Sequence, residues 1–212
     1  MMFEDRIDAG QQLAKALEKY RDDDNAIVLA LPRGGVVVGG EVARELGLPL
    51  DIIVPRKIGA EFNPEYAIGA ITETGEVVWN EDERKGTSPE YIDKVVADEK
   101  TEAERRLEKY RGDKKPRDLK GKTVILVDDG IATGLTMTAA IKTAQAEGPS
   151  KVVVAVPHGA KDSLDTIRKM VNEVVALDEP EWYTAVGAFY KEFGQTEDQE
   201  VVNILHEVDS RR

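Results

Sequence analysis

Cysteine is absent from the 212 residues. Disulfides, thiol nucleophiles and thiolate metal sites are thereby excluded, and the lack suits a reducing cytoplasm. Histidine is nearly absent, with only His158 and His206, too few for a histidine-rich zinc site. Basic excess is missing as well: 29 Lys and Arg stand against 41 Asp and Glu, a net charge of −12. A general nucleic-acid binder needs the opposite balance. No apolar run approaches the roughly 20 residues of a transmembrane helix, and the acidic residues 1–5 lack a signal peptide's apolar segment. The expectation is a cytoplasmic protein with neither nucleic acid nor membrane as partner. A hydrophobic fraction of 41% is present, enough to fill a core.

Hydrophobic spacing predicts an alternating order of elements. Phe3, Ile7, Gly10, Ala14 and Leu17 mark a helix over 3–20. Ile27 to Leu31 is a strand ending in the turn Pro32-Arg33-Gly34-Gly35, and 36–46 is a helix stopped by Gly47 and Pro49. Leu50 to Val54 is a second strand. Pro55 ends it, and Arg56-Lys57-Ile58-Gly59 begins a loop containing Pro64. Residues 67–72 and 76–79 flank a hairpin turn. Ser88 caps a long helix with Pro89 in its first turn, and Gly112 and Pro116 end it. Residues 113–122 are a polar connector. Strands at 124–127, 151–156 and 173–177 then alternate with helices at 134–147, 161–171 and 198–209. Apolar strands without period-two alternation, each followed by a helix, indicate an α/β fold with a parallel sheet covered by helices on both faces. The chain is expected to form a single domain over 1–212.

The densest signal is 124–137, Val-Ile-Leu-Val-Asp-Asp-Gly-Ile-Ala-Thr-Gly-Leu-Thr-Met. A buried strand ends in two adjacent carboxylates, Asp128 and Asp129, and a glycine-bracketed loop opens a helix. The acids can accept hydrogen bonds from vicinal hydroxyls. Successive N–H groups of the loop, at the positive end of the helix, make an anion site. Two other origins of an Asp pair, a helix cap and the acidic pocket of a receiver domain, do not require the Gly130–Thr136 loop that follows here.

This string resembles the phosphoribosyl pyrophosphate (PRPP) motif of type I phosphoribosyltransferases, and the order of elements from about 20 to 178 fits that family. The resemblance implies a Rossmann-like core with a small hood built from N-terminal and/or C-terminal segments, roughly 178–212. It implies that Asp128 and Asp129 hold the ribose hydroxyls. Gly130, Ile131, Ala132, Thr133, Gly134, Leu135 and Thr136 would surround the 5-phosphate. Arg33, Gly34 and Gly35 would form the pyrophosphate loop, with Arg56 and Lys57 as further cations for the leaving pyrophosphate. Asp128, Asp129, Arg33 and Lys57 are the candidate catalytic residues. The implied reaction is transfer of ribose 5-phosphate from PRPP to an unidentified nitrogen base, with Mg²⁺ held mainly through PRPP and pyrophosphate and no metal site on the protein. A homodimer is a family-level expectation.

Residues 63–70 and the tail around 185–190 resemble an uncharacterised branch of the family, and 57–90 lies where family members carry a mobile loop. His158, Trp182, Tyr183, Phe189 and Tyr190 are the candidates for contacting the base or, equally, for packing the hood core, with His158 alternatively a satisfied polar residue at a strand end. Arg105 and Arg106 read as surface charges. Two other readings stand beside the transferase: a non-catalytic PRPP or nucleotide sensor on the same fold, and a phosphohydrolase working through Asp128.

Overall fold

The computed structural model describes residues 1–112, 114 and 117–211, with Glu65 described by its backbone alone. Pro116 and part of the expected connector lie outside the described residues. Five strands form a parallel sheet in the order β2-β1-β6-β7-β8: β1 (Ala26–Ala30), β2 (Leu50–Ile52), β6 (Thr123–Val127), β7 (Lys151–His158) and β8 (Glu173–Asp178). The three antiparallel strands β3 (Arg56–Ala60), β4 (Asn63–Ile71) and β5 (Val77–Trp79) form a second sheet.

Side chains of the parallel strands alternate between two apolar cores. Val28, Ala30, Ile125, Val127, Val153 and Ala155 face one core, shared with α1 (Arg6–Ala16), α2 (Gly34–Leu46) and α7 (Asp198–Ser210). Ile27, Leu29, Val124, Leu126, Val152 and Val154 face the other, shared with α5 (Leu135–Ala146) and α6 (Lys161–Arg168). Burial on both faces is why these strands read as unbroken apolar runs. The short helix α3 (Glu81–Arg84) and the long helix α4 (Pro89–Arg111) follow β5. Ser88 caps α4 by accepting from the Tyr91 N–H. Gly75, at φ +86, makes the β4–β5 turn.

Two local expectations change. Residues 56–60 are strand rather than loop, so Arg56 and Lys57 pair with Ile71 and Ala70 on β4. The prolines at 55 and 64 masked this strand. Pro64 is tolerated because the ladder shifts register at Gly59, where a Cβ would lie 2.3 Å from the Pro64 carbonyl oxygen. The first helix begins at Arg6, not Phe3, because the Asp5 carboxylate accepts from the Asp8 N–H and closes the helix there. Phe3 instead pairs with Tyr190 in a parallel bridge and is fully buried.

From β1 the chain crosses to β2 on one side, and from β6 it crosses to β7 on the other. The order therefore reverses between β1 and β6, and ligands of such sheets bind outside the strand ends at that reversal.

Candidate active site

The loops after β1 and β6 meet at this reversal. A Cβ on Gly35 would lie 2.8 Å from Asp128 Oδ1, and one on Gly34 would lie 2.0 Å from Asp129 Oδ2. The two glycines, expected in a turn, open α2 instead, and they are what let its start press against the carboxylates. Asp128, Asp129 and the loop Gly130–Gly134, with Thr136 and Val186, line a cavity of about 220 Å³. Gly134, at φ +76, turns the chain into α5.

The loop divides its N–H groups between structure and cavity. Ile131 donates to the His158 carbonyl (3.1 Å) and its own carbonyl accepts from Ala160 (2.8 Å). Ile131 is buried, so it anchors the loop and its N–H is already committed. Among the described residues, none accepts from the N–H groups of Ala132, Thr133 or Gly134. Ala132 and Thr133 are exposed, and these N–H groups stand at the start of a 12-residue helix. That is the arrangement of an anion cradle. Leu135 and Thr136 open the helix and are half-buried.

Burial pushes both carboxyls above the ordinary range. Asp128 rises the further because the Asp129 charge lies beside it, whereas Arg6 draws Asp129 back. Arg6 donates through Nε to Asp129 Oδ2 at 2.7 Å. No sequence signal connects residue 6 with residue 129, and Arg6 was not among the expected site residues.

The expected cations are placed apart from the acids. Arg33 lies 3.6 Å from Asp198, the first residue of α7. Asp198 also accepts from Lys109 and the Tyr110 hydroxyl, and these two bonds hold its carboxyl down to about 2. Arg56 donates to Glu99 on α4 (2.7 Å). Arg56 and Lys57 line a separate cavity of about 520 Å³ with Tyr91 and Lys94. None of these cations lines the cavity beside the carboxylates.

Four of the five base-contact candidates gather into one wall. His158 stacks on Phe189 (ring centroids 4.4 Å apart) and touches Tyr190 and Phe3. Tyr183 bonds His158 Nδ1 at 2.9 Å, and the Tyr190 hydroxyl donates to the Asp129 carbonyl at 2.6 Å. Trp182 is 89% exposed and stands outside the wall. Arg105 and Arg106 pair with Glu102 on their own helix, as expected of surface charges.

His158 is fully buried, and burial holds its imidazole down at about 4. Between pH 6.5 and 4 the unfolded chain gains a proton here that the folded chain refuses, so this contribution to stability falls as pH falls. The stability advantage of the wild type over His158→Asn should shrink by about 2 kcal/mol between pH 7 and pH 5. Urea unfolding at the two pH values measures it. An equal advantage at both would show that His158 charges in place.

The profile of the phosphoribosyl transferase domain matches residues 4–193. The chain belongs to the phosphoribosyltransferase family. Within that family it is 45% identical over 206 residues to the Mycobacterium tuberculosis protein named "Putative phosphoribosyl transferase Rv0571c". That match covers 96% of this chain and 46% of the mycobacterial protein, so the chain spans about half the length of the curated relatives it matches. The crystal structure of TT1426 from Thermus thermophilus is similar over 98% of this chain and 99% of that one, at 43% identity and a TM-score of 0.80. AQ2163 from Aquifex aeolicus covers 86% of this chain and 78% of its own, at 16% identity and a TM-score of 0.51, a likeness of fold alone.

Proposed function

We propose that the chain transfers the 5-phosphoribosyl group of PRPP to a nitrogen base and releases pyrophosphate. One observation carries this reading: two adjoining carboxylates lie where both glycine loops converge, beside open N–H groups at a helix start. The carboxylates accept from the ribose hydroxyls, and the N–H groups of Ala132, Thr133 and Gly134 face the 5-phosphate. The Thr133 and Thr136 hydroxyls add donors. The Pro32–Gly35 segment takes the pyrophosphate, and Arg33 joins it on leaving Asp198.

As the glycosidic bond breaks, positive charge grows on the sugar and negative charge on pyrophosphate. The protein contributes by positioning and by stabilising the leaving group. Among the described residues, no three acidic or histidine side chains gather to hold a metal. Mg²⁺ is read as arriving on PRPP oxygens, as a hard ion that keeps much of its water. Tyr183 and Phe189, half-buried and backed by the buried His158, are the surface read as meeting the base. The sensor reading shares every one of these contacts and differs only in lacking turnover.

Calorimetric titration with Mg²⁺–PRPP, followed by pyrophosphate detection with a panel of bases, tests the proposal. Each charge-assisted contact contributes about 1.5–3 kcal/mol, so Asp128→Asn or Asp129→Asn should weaken PRPP binding at least about tenfold. Unchanged affinity in both variants removes the ribose role. Binding without pyrophosphate release from any base favours the sensor.

A further inference from the structure

Arg6 is, among the described residues, the one cation bonded to the paired acids. Its side chain is 12% exposed, and that of Asp129 is 15% exposed. The guanidinium is held on three sides. Nε donates to Asp129 Oδ2 (2.7 Å), Nη1 donates to the Gly194 carbonyl (2.7 Å), and its carbon lies 3.8 Å from the centre of the Phe193 ring. The cap at Asp5 fixes the helix start from which the side chain leaves. A Cβ on Gly34 would also lie 2.7 Å from Arg6 Nε, so the N-terminal helix, the β1 loop and the β6 loop converge on one point.

We propose that Arg6 is a positioning residue of the phosphoribosyl site: locked between Phe193 and Gly194, it fixes the Asp129 carboxylate by one oxygen and leaves the other for a ribose hydroxyl. This rests on the ribose-binding reading of Asp129. The same contact opposes protonation of the acid, against a burial that still leaves its carboxyl above the ordinary range. Asp128 adds like charge from the same loop, the hydroxyls of Tyr183 and Tyr190 lie close by, and His158 on β7 stays neutral. Arg6 alone supplies opposite charge by direct contact. A carboxylate in this setting takes up a proton unless a cation opposes it. Protonation turns one of the Asp129 oxygens into an O–H donor, which does not suit a hydroxyl that donates to it. Because Arg6 stands in the N-terminal segment and its clamp in the C-terminal one, the ribose acid is set by parts of the chain outside the motif that contains it.

The test needs no turnover. Wild type, Arg6→Gln and Arg6→Lys are labelled with aspartate carrying ¹³C at Cγ, and the Asp128 and Asp129 resonances are assigned through Asp128→Asn and Asp129→Asn. In Arg6→Gln the Asp129 midpoint should rise by about one pH unit or more, and Arg6→Lys should recover at least half of that rise. Mg²⁺–PRPP affinity is then measured from pH 5 to 9. The acid limb of the Arg6→Gln profile should move upward by a similar amount, and affinity at pH 9, where the acid is ionised in both proteins, should still fall, because the carboxylate has lost the contact that orients it. A merely structural role would lower affinity equally at every pH and leave the carbon midpoint in place, and that result overturns the proposal. If the wild type binds no PRPP at any pH, the ribose reading fails. The carbon titration then still decides whether Arg6 governs Asp129.

Discussion

Arg117→Ala should lower the free energy of unfolding by about 3–5 kcal/mol, the range for removing one partner of a buried ion pair. The Arg117 side chain is 7% exposed and that of Glu73 is 3% exposed. Arg117 donates to Glu73 (3.0 Å) and to the Ile52 carbonyl (2.9 Å), and pairs with Glu147 at the end of α5 (2.7 Å). The second Glu73 oxygen accepts from the Val54 N–H (2.9 Å). One guanidinium therefore ties the end of β2, the β4–β5 turn and α5 together. Its loss leaves a carboxylate buried without its cation. Arg105→Ala is the control, because Arg105 is half-exposed and bonded along its own helix, and it should leave the unfolding midpoint where it is. Urea unfolding of both variants gives the comparison. A loss below about 1 kcal/mol for Arg117→Ala would mean that water or rearrangement takes over the Glu73 charge.

Gly34→Ala should separate binding from folding. Gly34 is the first residue of α2 and its φ is not positive, so alanine suits the backbone and favours the helix. The gain in helix propensity is offset by the loss of the part-buried Arg6–Asp129 bond, so the unfolding free energy should fall by no more than about 1–3 kcal/mol. The added methyl would lie 2.0 Å from Asp129 Oδ2 and 2.7 Å from Arg6 Nε. Both are ends of side chains, so they retreat and the fold does not. That retreat breaks the Arg6–Asp129 bond and moves the carboxylate out of register with Asp128. PRPP affinity should fall about a hundredfold, the upper end of what a charge-assisted contact supplies. Calorimetry beside thermal unfolding reads both quantities. Unchanged affinity at unchanged stability would place the sugar elsewhere.

Much of this architecture was legible because its signals are local. The Val124–Val127 run, the adjoining acids and the Gly134 turn lie within a few residues of one another, and each carries its own chemistry. The Ser88–Pro89 start of α4 and the Gly75 turn were equally readable. Contacts between distant residues were not. Arg56 and Lys57 become strand only through pairing with residues 70 and 71, a long-range choice that overrides the flanking prolines. Arg33 finds Asp198, Arg6 finds Asp129, and Phe3 finds Tyr190. None of these pairs shares a periodicity. Ile131 shows a finer limit: residue type placed it in the loop, but only the bond to the His158 carbonyl reveals that its N–H is occupied.

The bridge between Phe3 and Tyr190 has a consequence for biosynthesis. A nascent chain halted near residue 180 already carries every strand of the main sheet and both acids, since β8 ends at Asp178. It lacks the partner of Phe3, the hydroxyl that bonds the Asp129 carbonyl and the ring beneath Arg6. Domains fold as the ribosome delivers them, so the contacts that fix the paired acids arrive late, after the scaffold is in place.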